Sequence, residues 1–345
     1  MAALMTELHP VFERHRESDL GRLTFYEVYT VMVFAFFARQ QLDITVLEVG
    51  MGGRLDATNV VNPLACVITP VAIEHVDALG NTLEEIAGEK AGIIKSARPV
   101  VVGCQEPAAR AVIHDVAKRH DALLVDATTE VSTTRHGVSG GREVCDLAGR
   151  EIQLTNVRLR LIGSHQVANA ATALATVQCL RDLGWTVTDV AVREGLEQAR
   201  IHGRFQVVDL ADGRTGILDA AHTPGSAAAL ARTLREAYRE ERITLIVGMS
   251  SDKDATGFAH ALAPTASHVV LTRAESNPRA SDPDDLAVVF KRHFQSVSVE
   301  RSLPAAVASA PGDTLCVTGS VYIVGEALRA TAPDAYAEFR REVGL

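Results

Sequence analysis

The sequence predicts an α/β protein of two domains, from three observations. Short apolar runs bounded by turn residues alternate with helical stretches through most of the 345 residues. That length exceeds what one hydrophobic core usually serves. Two apolar runs end in a carboxylate followed at once by a turn: Glu48 before Gly50-Met51-Gly52-Gly53, and Asp219 before Ala220-Ala221-His222. Ligands gather outside the carboxyl ends of strands in parallel sheets, so both carboxylates are candidate site residues.

Residues 1–21 are polar and helix-compatible, and Leu23-Thr24-Phe25-Tyr26-Glu27 opens an apolar helix to about Gln40 that reads as buried. Strands are expected at 43–49, 65–71, 99–104 and 122–125. Thr82 and Glu85 form a capping box that starts a helix through Lys90, and another helix spans 107–119. Residues 128–160 are rich in Thr, Gly and Arg, and their alternating runs at 143–147, 151–154 and 157–161 predict a small antiparallel sheet. Helices follow at 165–183 and 188–198, and residues 200–204 read as a link. Beyond it, strands at 205–209, 217–219, 243–247, 268–271, 296–299 and 314–317 alternate with helices, including 225–238 and 283–293, which implies a largely parallel sheet.

Composition narrows the function. A formal net charge of −9 argues against a general nucleic-acid binder. The longest apolar stretch, residues 28–38, is too short to cross a bilayer, and Glu7, His9, Glu13 and Arg14 stand where a signal peptide needs apolar residues. A cytoplasmic protein without membrane contact is expected. Cys66, Cys104, Cys145, Cys179 and Cys316 show no CxxC spacing and read as reduced, buried thiols.

The candidate chemistry starts with Glu48 and His75, a carboxylate and an imidazole at the ends of successive expected strands, which could share a divalent cation. They could equally cap a turn and bond a loop. Lys90 is either a solvated helix lysine or a partly buried, chemically competent amine. Asp219 and His222 either flank an anion site at the helix that Pro224 opens, or Asp219 is a turn residue. Asn169 lies one turn into the helix begun by His165, as a base-reading amide or as a surface side chain.

Taken together, these motifs resemble folylpolyglutamate synthase and dihydrofolate synthase, within the Mur-type ATP-dependent amide ligases. The resemblance rests on Leu47–Asn59, Glu74-His75 before Leu79-Gly80, Glu89–Lys95, Gly163-Ser164-His165-Gln166 through Asn169, and Gly203-Arg204. It continues through Leu218–Pro224, Lys253-Asp254, Asn277-Pro278-Arg279 and Val317–Glu326, in family order.

The resemblance implies a Mur-ligase-like ATPase domain over residues 1–204 and a smaller Rossmann-like glutamate-ligase domain over 205–345. It implies Mg²⁺ ligation by Glu48 and His75, carbamylation of Lys90, and ATP contacts from Asn169, Arg204 and Asp219. His222 matches a residue near phosphate or incoming glutamate, and Leu23, Thr24, Phe25 and Tyr26 match the pterin-substrate segment. The implied reaction uses ATP to turn a folate or dihydropteroate carboxylate into an acyl phosphate, which the amine of L-glutamate then displaces. A monomer is implied.

Two departures stand out. No G-x-x-x-x-G-K-[ST] loop occurs in the chain, so the first strand and its phosphate-binding loop are expected to be missing and ATP binding to be poor. Met1 or Met5 would then be an internal methionine of a longer protein. Thr223 stands where the family usually carries Asn, and Ala220 replaces the usual Gly. The competing reading is a non-catalytic, ligase-like folate-binding remnant. An oxidoreductase is disfavoured, because the glycines at 50–53 lack G-x-G-x-x-G spacing.

Overall fold

The computed structural model describes residues 2–19, 21–103, 106–238 and 243–343. Contacts divide the chain into two compact units, residues 1–126 and 127–345.

In the first unit, α1 (Ala2–Arg16) and α2 (Phe25–Gln40) precede a 3₁₀ turn at Ala57–Val60. Then come β1 (Cys66–Ile68), α3 (Val76–Leu79), α4 (Leu83–Ala91), β2 (Val100–Val102), α5 (Pro107–Arg119) and β3 (Leu124–Asp126). The three strands form a parallel sheet in the order β1-β2-β3. Its core joins Ile68, Val100 and Val102 of the sheet to Ile86, Ala87 and Ala91 of α4 and Ile113 of α5. The Thr82–Glu85 capping box is present, with Glu85 N–H donating to Thr82 Oγ1 at 3.2 Å, and α4 ends within one residue of Lys90.

Two expectations for this unit fail. No strand forms over 43–49, and Val46 is 91% exposed. β-propensity describes a side chain that fits a paired, half-covered surface, and among the described residues no strand pairs with this run. Glu48 is therefore exposed rather than set at a strand end, and burial in a sheet imposes no desolvation cost on it. Helix α2 forms as expected but is not buried: only Thr30 and Met32 are covered, while Phe25 is 86% exposed. Its apolar residues run round the helix rather than along one stripe, and α1 and the 3₁₀ turn cannot cover every side.

The second unit opens with α6 (Ala127–Glu130) and an antiparallel sheet of β4 (Ser132–Ser139), β5 (Arg142–Ala148) and β6 (Gln153–Leu159). The sheet was legible in the sequence, but β4 was not, because its residues (STTRHGVS) carry no apolar alternation. Helices α7 (Ser164–Asp182) and α8 (Asp189–Gln198) follow. The rest alternates: β7 (Gln206–Asp209), β8 (Thr215–Asp219), α9 (Pro224–Ala237), β9 (Ile243–Val247), α10 (Ala255–Leu262) and β10 (His268–Leu271). It ends with α11 (Pro283–Phe290), β11 (Ser296–Val299), α12 (Leu303–Ser309), β12 (Thr314–Thr318), α13 (Val321–Thr331) and α14 (Pro333–Glu342).

These last strands form one sheet in the order β11-β10-β9-β12-β8-β7, parallel except for β7, which runs against β8. The central strands β9 and β12 are buried along their whole length, as the interior of a two-sided sheet requires. Ile217, Leu245, Val269 and Cys316 face one core, and Leu218, Ile246, Val270 and Val317 face the other, following the two-residue period of a strand. Cys66, Cys145, Cys179 and Cys316 are free and buried as expected, and Cys104 lies outside the described residues. Among the described residues no helix is long and apolar enough to cross a membrane.

Candidate functional site

In the first unit the glycine-rich segment after Glu48 is docked onto α4. Arg54 grips Glu89 with both prongs of its guanidinium, Nε to Oε1 at 3.1 Å and Nη2 to Oε1 at 3.0 Å. Its backbone N–H also donates to the Glu89 carbonyl at 2.8 Å. This approach requires glycine at 53, where a Cβ would meet Glu89 O at 2.9 Å and Lys90 O at 3.0 Å. Asn59 Nδ2 donates to Arg54 O (3.0 Å) and Gly92 O (3.1 Å), and Lys95 Nζ donates to Asn59 O (2.9 Å). Two motifs separated by some thirty residues are thus one structural body.

Asp56 organises the turn itself. Its Oδ2 accepts from the Gly50 and Met51 N–H groups at 3.0 and 3.1 Å, and its Oδ1 accepts from Thr58 N–H at 2.9 Å. Tyr26 reaches it from α2, with the phenol donating at 3.3 Å. Desolvation pushes the Asp56 carboxyl up, but these donors outweigh it and hold its pKa below the usual range. The Tyr26 phenol is shifted upward by desolvation and by the neighbouring Asp56 charge. The sequence argument assigned Asp56 no role, although an aspartate two residues before a threonine is a recognisable local cap.

The expected metal and carbamate residues lie around this body. Glu48 lines a cavity of about 490 Å³ with Tyr26, Tyr29, Phe34, Phe37 and Val46. His75 sits at φ 52°, ψ 40° before α3, and its ring makes no cap hydrogen bond. Lys90 donates to Glu74 Oε1 at 3.3 Å, so it stands here as a paired ammonium. Among the described residues no three His, Cys, Asp or Glu side chains come together as a closed metal cage. Mg²⁺ commonly takes one or two protein ligands and completes its shell with water and phosphate oxygens, and an exposed carboxylate such as Glu48 fits that role.

Of the expected pterin segment, Thr24 caps α2 in a box with Glu27, and Tyr26 is committed to Asp56. Phe25 is open and stacks on Tyr29 at 6.2 Å, and Leu23 is half-buried.

In the second unit, Asp219 ends β8 as expected. Its Oδ2 accepts from Phe205 N–H at 2.8 Å and its Oδ1 from Ala221 N–H at 2.9 Å. Desolvation outweighs these bonds and the nearby Arg204 and His222, so its pKa is raised. The carboxylate thereby fastens the turn that carries Arg204, whose side chain is exposed. His222 Nδ1 donates to the Ala220 carbonyl at 2.9 Å, a partner that can only accept, so Nδ1 carries a proton and the bond fixes the ring with Nε2 away from this carbonyl.

Thr223 caps α9: its hydroxyl accepts from Ser226 N–H at 3.2 Å, while Ser226 Oγ accepts from Thr223 N–H at 3.0 Å. Thr223 therefore has a structural task, which a capping side-chain oxygen performs.

Asn169 Nδ2 donates to Gln166 Oε1 (3.1 Å), and Gln166 Nε2 in turn meets His165 Nε2 (3.1 Å). Desolvation, then the Arg232 and Arg204 charges, lowers the His165 pKa and keeps the ring neutral. Behind this helix start lies a residue the sequence argument missed. Glu143 is 0% exposed and accepts from Gly163 N–H at 3.0 Å and from Arg135 Nε at 2.6 Å. Arg135 also pairs with Glu236 of α9. The available signal was a carboxylate next to the apolar pair Val144-Cys145 in β5.

Residues 19–177 match the Mur ligase middle domain, and residues 203–321 match the glutamate ligase domain of Mur ligases. The dihydrofolate synthase/folylpolyglutamate synthase of Mycobacterium tuberculosis is 36% identical over 330 residues, covering 88% of this chain and 67% of its own. The chain belongs to the folylpolyglutamate synthase/dihydrofolate synthase family. A probable bifunctional folylpolyglutamate synthase/dihydropteroate synthase of Halobacterium salinarum is 36% identical, with 94% of this chain and 40% of the relative covered. The chain thus spans about two thirds of the first relative and well under half of the second. The Mycobacterium tuberculosis folylpolyglutamate synthase solved with ADP superposes with a TM-score of 0.86 at 34% identity, covering 95% of this chain and 77% of that one. The chain has the α/β Mur-ligase fold of this family of acid–amino-acid ligases.

Proposed function

We propose that this folylpolyglutamate synthase family member is built to join L-glutamate to a folate or dihydropteroate carboxylate at the expense of ATP. The observation that carries the reading is the end of β8, where Asp219 fastens the turn bearing Arg204 and His222 is fixed with Nε2 away from the Ala220 carbonyl. Asn169, Arg204 and Asp219 form the nucleotide set of the second unit, in keeping with the ADP bound by the tuberculosis relative. The acceptor carboxylate attacks the γ-phosphorus and ADP leaves. The glutamate amine then forms the C–N bond as the C–O bond to phosphate breaks. His222 Nε2 takes the proton that the amine must lose.

Glu48 and His75 are the proposed Mg²⁺ ligands of the first unit, and the ion, when bound, offsets negative charge on the transferring phosphoryl group. Lys90 is the proposed carbamylation site, where CO₂ turns its amine into an anionic group. Phe25 offers an open aromatic face to a flat pterin, with Leu23, Thr24 and Tyr26 shaping the start of that helix. We place the domain boundary near residue 204 and the protein in the cytoplasm as a monomer.

The chain as it stands holds no G-x-x-x-x-G-K-[ST] loop, so weak Mg·ATP binding and little turnover are expected of it. Isothermal titration with Mg·ATP tests this, and low-micromolar affinity overturns it. Reading the gene upstream in frame for the loop, then assaying glutamate-dependent phosphate release with dihydropteroate and with tetrahydrofolate, tests the ligase reading. A loop-bearing form that releases no phosphate with either acceptor makes the chain a binding remnant.

A further inference from the structure

A second cavity, of about 280 Å³, lies in the unit that holds β8 and is lined by Arg142, Arg160, Arg200, Arg204, Gln206 and Glu338. Four guanidiniums thus face one carboxylate, and that carboxylate is already engaged: Glu338 Oε2 accepts from Arg200 Nη2 at 2.9 Å. Arg200 also bonds Glu342, at 3.0 Å. Arg142 donates to the carbonyls of Glu197 (3.0 Å) and Arg158 (3.4 Å). Among the described residues Arg160 and Arg204 have no ion pair.

Gln206 also lines the cavity. Its Oε1 accepts from Gly203 N–H at 3.1 Å, which turns the amide nitrogen the other way, and that buried Nε2 finds no acceptor. The cavity is therefore rich in donors and poor in acceptors, and guanidiniums match the paired oxygens of carboxylates and phosphates.

We propose that this cavity is a binding site for a small oxyanion carrying at least two phosphoryl or carboxylate groups, held by Arg160 and Arg204 and walled by Gln206. Its volume suits a compact polyanion. Arg204 also belongs to the proposed nucleotide set, so Arg160 and Gln206 are the residues that separate the two sites. Asp219 belongs to the nucleotide set and does not line the cavity. The site stands whether or not the ligase reading does.

The test is isothermal titration of the whole chain with inorganic pyrophosphate and, separately, with citrate, at low ionic strength. One or both probes bind, and the stronger of the two identifies phosphoryl or carboxylate chemistry. Arg160→Gln and Gln206→Glu each weaken that binding at least tenfold; the second supplies an internal carboxylate while keeping the acceptor for Gly203. Melting curves confirm that both variants are folded. The inference is overturned if neither probe binds or if both cavity variants bind like the parent.

Discussion

Arg54 and Glu89 join the two most distinctive stretches of the chain through a two-pronged ion pair, backed by a backbone hydrogen bond of 2.8 Å between the same residues. The glycine-rich run is therefore a docking surface for α4 as well as a turn.

Gly53→Ala tests that docking. The added Cβ meets the carbonyls of Glu89 and Lys90 at 2.9 and 3.0 Å, and helix backbone cannot give way as a flexible side chain would. Overpacking of this kind costs about 1–3 kcal/mol. Urea unfolding of the variant should show a lower midpoint by that amount, with an unchanged denaturant slope.

Asp56→Ala removes the acceptor for the Gly50, Met51 and Thr58 N–H groups and should cost about 2 kcal/mol, the upper end for a lost cap. Its lowered pKa sets the pH dependence. A carboxyl with a depressed folded pKa contributes stability above its unfolded value and loses it as pH falls through the folded one. Parent and variant stabilities should therefore converge on acidification. A gap that stays constant down the acid limb refutes the assignment.

Asp219 has the opposite sign. Its raised pKa means that the folded state holds the proton more tightly, so its contribution is full below the ordinary aspartate value and fades as pH rises through the folded pKa. Asp219→Asn should flatten the fall in stability on the alkaline side of that ordinary value. Denaturation midpoints measured across this range check it, and parallel curves count against the burial argument.

Arg135→Met strands Glu143, which is 0% exposed and would keep only the Gly163 N–H among its bonds described above. Removing one partner of a buried pair costs about 3–5 kcal/mol. The double change Arg135→Met with Glu143→Leu should recover much of the loss, measured by thermal melting. No recovery would mean that the Gly163 contact, rather than the stranded charge, dominates.

Thr223→Ala should cost about 1 kcal/mol through the lost α9 cap, whereas Thr223→Asn should be nearly neutral because asparagine caps as well. Equal losses in both variants would show that the hydroxyl has a further partner.

Much of the second unit was legible in the sequence. Residues 243–247 and 268–271 are strands at the limits expected, because largely apolar runs bounded by turns leave a two-sided parallel sheet little alternative, and the edge strand 296–299 also has the limits expected, on an alternating Ser-Val pattern. The helix cap at Thr82 was equally local, a side chain bonding its own next turn. The run 43–49 failed for the converse reason: its pattern matches a strand, but pairing depends on a neighbour that the pattern does not contain.

The amino-acid order alone determined the alternating α/β plan, the family membership and the identity of the ionisable candidates, since these follow from local periodicity and motif spacing. Only the tertiary structure decided that Glu48 is exposed, that Lys90 faces Glu74, that Asp56 and Glu143 hold turns, and that four arginines meet in one cavity. Burial, ion pairing and charge convergence arise between residues distant in the chain, and no local window records which distant partner arrives.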